Sequence, residues 1–353
     1  MSVAHVPASS TDPAAAVARR PAVDRPDRAQ QTERPPRNDH AGKHSLRRLA
    51  HFPLGCLLIS CLIHGWLGDH PLTIAALVGV TAYFFFCWTS LFHETVHQTL
   101  TGNKTLDVIF GHVVGTLVLV PYAVYRGSHM RHHAYLNTPE DWELWPYCDP
   151  SKPKWFRRAF AWFDLLVGVL GAPIAYGRIY FHKDSPLRPA ERREAFWGYV
   201  AIALFWGTFY TFVAAFGLWH EVLVAWIAPW LLAGLIQTTR KFTEHLGMAS
   251  FDPQEGTRTV LGRGWITRLT TWLNFDIFVH GPHHRYPKMS HDKLAAVAVQ
   301  AREEGEAGPT FDTYFAAIRD MLPSLLFNPG CGVNAGGEWP PPQAAAKLSR
   351  VPR

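Results

Sequence analysis

The chain has 353 residues, of which 48% are hydrophobic and 13% aromatic, so it is too apolar to be disordered along its whole length. Its net charge is +6 and it has no long run of Lys or Arg, so the composition does not indicate nucleic-acid binding; a membrane or a lipid is a simpler partner. The five cysteines form no CxxC pair, and they indicate neither a disulfide scaffold nor a thiolate metal site.

The two ends of the chain differ from its middle. Residues 1–44 are rich in Ala, Pro, Arg and Asp and have no apolar core, which predicts a disordered tail. Residues 329–353 have a similar composition and predict a second disordered tail. We therefore expect one folded domain, residues 45–328.

Four apolar segments are candidates for spanning a membrane: Phe52–Leu67, Pro71–Phe92, Phe196–Leu218 and Val222–Thr239. A helix needs about 20 apolar residues to cross a bilayer core. The second and third segments meet this length, and the shorter first and fourth are joined to them by very short turns. The pattern predicts an all-α integral membrane protein with four transmembrane helices in two hairpins. The alternative is that these are core helices of a large soluble protein.

Charges at the ends of these segments predict their orientation. Lys43, Arg47 and Arg48 precede the first segment, and Arg240 and Lys241 follow the fourth. The two hairpin turns contain neither Lys nor Arg. The positive-inside rule then predicts that both termini and the middle of the chain are cytoplasmic.

Two further apolar stretches, Leu106–Val124 and Trp155–Phe181, are predicted not to span. The second has charged residues well inside it, which favours amphipathic helices on the cytoplasmic face. The first is a candidate for dipping into the bilayer. Beyond Arg240 the sequence predicts a polar cytoplasmic cap of helices and loops.

Three histidine clusters are the most unusual feature of the sequence: His93–His97, His129–His133 and His280–His284. They read HxxxH, HxxHH and HxxHH, and on a helix such spacings place the rings on one face. In the third cluster, Pro282 favours a helix that starts at Gly281 or Pro282. With 19 histidines in the chain, one HxxHH is expected by chance only about 0.05 times.

The predicted topology brings these clusters to one face of the membrane. Eight imidazoles are too many for one metal ion, because a structural zinc takes four protein ligands and a catalytic zinc three. They suit two metals, although imidazole alone does not choose among iron, copper, zinc and nickel. The nearby carboxylates Glu94, Glu244 and Asp276 are candidates for accepting the second ring N–H of a ligand. The alternative for each is a solvated carboxylate.

The order of these motifs around two hairpins resembles the membrane fatty acid desaturase family, over roughly residues 51–294. The resemblance implies a cytoplasmic cap with a diiron centre and one more histidine ligand after the last span, best matched by His245. Some members hold a water through an Asn one turn earlier; Lys241 stands there, so that feature is not carried over. The implied metal ligands are His93, His97, His129, His132, His133, His245, His280, His283 and His284.

The family's chemistry implies that two iron ions and O2 oxidise a lipid C–H bond, and that a fatty acyl desaturase introduces a C=C bond. Hydroxylation or ketolation of a fatty acid or carotenoid is the alternative within the same superfamily. No haem, flavin or ferredoxin-like domain is evident, so we expect a separate electron donor of the ferredoxin or cytochrome type.

A more distant alternative is an intramembrane zinc metallopeptidase, because His93–His97 also matches HExxH, in which Glu94 would be the general base. One zinc would leave both HxxHH clusters unexplained. The remaining histidines that we considered are expected not to be ligands: His64, His70 and His220 on the opposite side of the membrane, His112 packed in a helix, and His182 and His291 at the surface.

Overall fold

The computed structural model describes residues 48–339, so the predicted tail at 1–44 and the last part of the second tail, 340–353, lie outside the described residues. Nearly all regular structure in the described range is helical. A parallel pairing of β1 with β2 is the only sheet that we find within 48–339. The elements are α1 (His51–His64), α2 (Pro71–His97), α3 (Lys104–Leu117), α4 (Tyr122–Ala134), α5 (Lys154–Leu166), α6 (Gly168–Phe181), α7 (Pro189–Phe216), α8 (Trp219–His245), β1 (Thr259–Val260), α9 (Trp265–Leu273), α10 (His280–Arg285), α11 (His291–Glu303), β2 (Thr310–Phe311) and α12 (Tyr314–Phe327).

Three helices in the described part of the chain, α2, α7 and α8, are long and apolar enough to cross a bilayer. Helix α1 has 14 residues and is about 21 Å long, which is shorter than a hydrocarbon core of about 30 Å. It packs against α2, where the Phe52 ring stacks on Trp88 with 4.7 Å between centroids. The first predicted hairpin is therefore present with one short arm.

Helices α3 and α4 bend by 106° at residues 118–121. At this bend Leu119 has a positive φ of 59°, and Pro121 precedes the first residue of α4. Together the two helices are apolar enough for a broken span or a re-entrant loop. Within 48–339 the structure thus has three helices that could span a membrane by length and composition, or four candidate spans if this bent pair is one of them.

The stretch predicted to be amphipathic forms two helices, α5 and α6. Helix α5 exposes Trp155, Trp162 and Leu166, while its Arg157 and Asp164 are buried against the protein. A helix lying in a membrane interface presents an exposed apolar face of this kind to the lipid.

Two of the basic residues used to predict orientation are buried rather than exposed at the membrane surface. Arg48 is 6% exposed and pairs with Asp276 at 2.8 Å. Arg240 is 5% exposed and pairs with Glu244 at 2.9 Å. These ion pairs give both residues a structural role that the positive-inside count did not predict.

The predicted boundary at residue 328 is also wrong, because residues 329–339 pack onto the folded domain. Cys331 is fully buried and its N–H donates to the Tyr147 carbonyl at 3.0 Å. The Gly332 N–H donates to the Met248 carbonyl at 2.8 Å, and its φ of +54° favours glycine at this position. Backbone contacts of this kind do not depend on an apolar composition, so composition did not reveal them.

Candidate metal centre

The three histidine clusters converge on one buried centre in two groups of ring nitrogens. Helix α2 ends at the first cluster, α4 carries the second, α10 carries the third, and His245 is the last residue of α8. One ligand atom from each of five histidines lies within 4.8 Å of the others, and the same holds for His132 with His245 and His284, and for Glu244 with His245 and His280. The first group is His93, His97, His129, His133 and His283. The second group is His132, His245, His280 and His284, with Glu244 beside it.

Each HxxHH cluster contributes to both groups, which follows from helix geometry. On α4, His129 and His133 are four residues apart and face the first group, while His132 faces the second. Helix α10 begins at His280, one residue before the predicted start, and Pro282 lies in its first turn, where no N–H is needed.

One predicted carboxylate lies where a ring-orienting partner should lie. Glu94 Oε1 accepts from His93 Nδ1 at 3.3 Å, and its other oxygen accepts from the Thr99 hydroxyl at 2.9 Å. The prediction for Asp276 is wrong, since its carboxylate contacts Arg48 and His291 and no histidine of the two groups. His291 is itself buried, not at the surface as predicted.

Two orienting carboxylates were missed in the sequence. Asp141 accepts from His132 Nδ1 at 2.7 Å, and Glu143 accepts from His129 Nδ1 at 2.9 Å. The sequence offered one signal for these partners, which is the presence of two acidic residues in an aromatic segment directly after the second cluster.

His129 provides a direct test of whether a metal fits the first group. Its Nδ1 carries the proton, because a carboxylate can only accept, so its Nε2 has one free lone pair. His97 Nε2 and His133 Nε2 both lie 3.1 Å from that nitrogen. One lone pair cannot accept from both, whereas a metal ion among the three takes a lone pair from each.

The second group repeats this arrangement around His280. Its Nδ1 donates to the Ile277 carbonyl at 3.1 Å, and its Nε2 lies 2.9 Å from His245 Nε2 and 3.1 Å from His284 Nε2. Burial lowers the pKa of His280 and His284 well below its usual range, and it does the same for His283 of the first group. These rings are therefore neutral, which is the form that binds a metal.

A mostly apolar cavity reaches both groups. His93 and His129 of the first group, and His132, His245 and His280 of the second, lie in its wall. Aromatic side chains from α2 and α8 form much of the remainder, and small residues of α6 form one side. The apolar and small lining residues include Phe85, Trp88, Phe92, Trp226, Trp230, Gly171, Ala172 and Ala175.

The other histidines considered above lie apart from this centre. His64, His70 and His220 are exposed, His182 is half-buried, and the half-buried His112 lies 3.4 Å from Glu194. The zinc-peptidase alternative fits the centre poorly, because Glu94 contacts the Nδ1 side of His93 and a three-ligand zinc would leave most of the nine rings unused.

Comparison with known proteins agrees with this geometry. The family model described as fatty acid desaturase matches residues 65–315. An sn-1 acyl-lipid omega-3 desaturase (ferredoxin) of a Synechocystis species is 28% identical over 57% of this chain and 60% of its own length. A chloroplastic omega-3 fatty acid desaturase of Glycine max is 25% identical over 67% of this chain and 54% of its own length.

A third relative is the dihydrorhizobitoxine desaturase of Bradyrhizobium elkanii, which is 26% identical over 66% of this chain and 67% of its own length. The chain spans only 60% and 54% of the lengths of the first two relatives. The family model nevertheless covers well over half of this chain, including every histidine of both groups. The chain therefore belongs to the fatty acid desaturase family, a family of oxidoreductases.

Proposed function

We propose that the protein is an oxygen-dependent membrane diiron enzyme that desaturates a fatty acyl chain. The observation that carries the proposal is the meeting of nine imidazoles, five of them in the wall of a mostly apolar cavity. In this proposal each group holds one iron ion. The proposed iron ligands are His93, His97, His129, His132, His133, His245, His280, His283 and His284.

Bound iron would supply the oxygen chemistry needed to remove hydrogen from an unactivated methylene. The overall reaction converts CH2–CH2, O2, two electrons and two protons into CH=CH and two waters. The chain's own contribution is to hold the acyl chain in the cavity and to exclude water. Glu94, Asp141 and Glu143 fix the ring tautomers, so that each Nε2 presents a lone pair to the metal.

The two electrons require a donor, which we propose is a separate protein of the ferredoxin or cytochrome type. The name of the Synechocystis relative includes ferredoxin and an acyl-lipid substrate. We further propose that the centre and both chain termini face the cytoplasm, where such a donor would be available.

Expression in a host with a simple lipid profile, followed by mass spectrometry of the lipids, tests this function. We expect acyl chains that have lost two hydrogens, and none in cells expressing the His97→Ala variant at the same level. A gain of one oxygen would instead support a hydroxylase, and a keto group a ketolase. An unchanged lipid profile, with iron-loaded enzyme and a functional donor present, would contradict the proposal.

A further inference from the structure

Glu244 lies on the metal-facing side of the second group rather than on its outer side. The sequence predicted that Glu244 would orient a ligand by accepting its second ring N–H. In the structure, His280 Nδ1 is already bound to the Ile277 carbonyl, and Glu244 Oε2 lies 3.6 Å from the opposite nitrogen, Nε2. We propose that Glu244 is an oxygen ligand of the second metal, an inference that rests on the proposed diiron function.

The arrangement of neighbouring donor atoms supports this role. A Glu244 oxygen and ring nitrogens of His245 and His280 all lie within 4.8 Å of one another. The first group has five imidazoles and the second has four. A carboxylate from Glu244 would give both metals five protein ligands.

The contrast with Glu94 separates a ligand from an orienting group. Both carboxylates are almost fully buried near a histidine of the centre. Glu94 contacts Nδ1 of His93, whose Nε2 has no hydrogen-bond partner among the described residues. Glu244 instead approaches the nitrogen that faces the other imidazoles, so it does not fix a tautomer from outside.

Arg240 holds the Glu244 carboxylate without using all of its acceptor sites. Arg240 Nη1 lies 3.0 Å from Oε1 and 2.9 Å from Oε2, and Arg240 Nε donates to Gln237 Oε1 at 3.2 Å. An ionised carboxylate has about four lone-pair sites, so sites remain for a metal. A carboxylate also offsets cation charge in a buried site, which four neutral imidazoles cannot do.

The test compares four variants: Glu244→Gln, Arg240→Gln, the double variant with both changes, and Glu94→Gln as the matched carboxylate control. Two quantities are measured on detergent-purified protein loaded with ⁵⁷Fe. One is the Mössbauer spectrum at saturating iron, which reports the ligand environment of each iron. The other is the iron retained after a fixed chelator challenge.

In Glu244→Gln and in the double variant we expect the signal of one iron to shift and retained iron to fall from two per chain to one. We expect the Arg240→Gln spectrum to keep both wild-type signals, and Glu94→Gln to retain both irons with any change confined to the signal of the first group. The double variant is decisive, because Glu244→Gln alone leaves a buried Arg240 unpaired and can lose iron by misfolding.

A double variant with two retained irons and an unchanged spectrum would overturn the inference, and would show that Glu244 serves only as the partner of Arg240. That result would leave the proposed function standing, because the wild type would still bind two irons. A wild type without iron would instead remove the proposed function itself.

Discussion

At the scale of single residues, the partner of each Nδ1 decides what its imidazole can do. A carboxylate or carbonyl at Nδ1 fixes the proton there and turns the Nε2 lone pair inward. His93, His129, His132 and His280 have such partners. Four of the nine rings are thus set in a metal-binding orientation by the protein alone.

We predict that Asp141→Asn and Glu143→Gln each lower product formation by about 10- to 100-fold, the usual cost of losing a partner of a metal ligand. The measurement is lipid product at matched expression. Asp149→Asn changes a carboxylate of the same loop that contacts Ser151 and Lys152, and this variant should retain activity. Full activity in both test variants would refute the orienting role.

The first cluster gives a second residue-scale prediction. His97→Ala should abolish product while the protein remains in the membrane, because a metal bond is lost. Glu94→Gln should only reduce product, by about 10- to 100-fold, because it loses an orienting contact. Complete loss of product in Glu94→Gln with unchanged iron content would show that Glu94 takes part in the chemistry itself.

At the scale of elements, the turn before α10 determines where the third histidine cluster lies. The conformation of this turn does not follow from its local sequence. Phe275 and Asp276 both have positive φ, at 56° and 54°, which is unfavourable for residues other than glycine. Asp276 in this turn is bound by Arg48, from the other end of the chain. The next residue, Ile277, supplies the carbonyl that orients His280.

We predict that Arg48→Ala destabilises the domain by about 3–5 kcal/mol, the typical cost of leaving one partner of a buried ion pair. Thermal unfolding in detergent measures this. The double variant Arg48→Met with Asp276→Asn should recover much of the loss, since no unpaired charge remains. Equal stability of the wild type and Arg48→Ala would show that the pair does not hold the turn.

The helices and the turn before α10 also show which features of the fold the sequence could predict and which it could not. The spacings within the histidine clusters and the long apolar runs of α2 and α7 are local patterns. They predicted the helical fold class and the convergence of the clusters. Asp276 is positioned by the distant Arg48, a contact that one sequence does not reveal. Asp141 and Glu143 lie only nine and 14 residues after their partners, but beyond the end of α4, where helix periodicity no longer predicts contacts. The burial of Arg48 and Arg240 was likewise not predicted, although the four-residue spacing of Arg240 and Glu244 on one helix allows an ion pair.

At the scale of the whole molecule, the predicted orientation in the membrane rests on basic residues, of which several also form ion pairs. Lys43 and Arg47 lie outside the described residues, and Arg48 and Arg240 are buried in ion pairs. Lys241 also contacts a carboxylate, that of Asp164. The hairpin turn at Gly68 still lacks basic residues, so a cytoplasmic location of both termini remains our prediction.

Reporter fusions at Arg353 and at the Gly68 turn test this topology. We predict that the two reporters lie on opposite sides of the membrane, with the Arg353 reporter in the cytoplasm. A result that placed both on the same side would refute the arrangement in two hairpins.

The central claim is that eight histidines from three distant clusters, together with His245, hold two iron ions. Metal analysis of detergent-purified wild-type protein tests it most directly. We predict two iron atoms per chain, lost when His97 and His284 are both replaced by Ala. One stoichiometric zinc per chain and no iron would contradict the account.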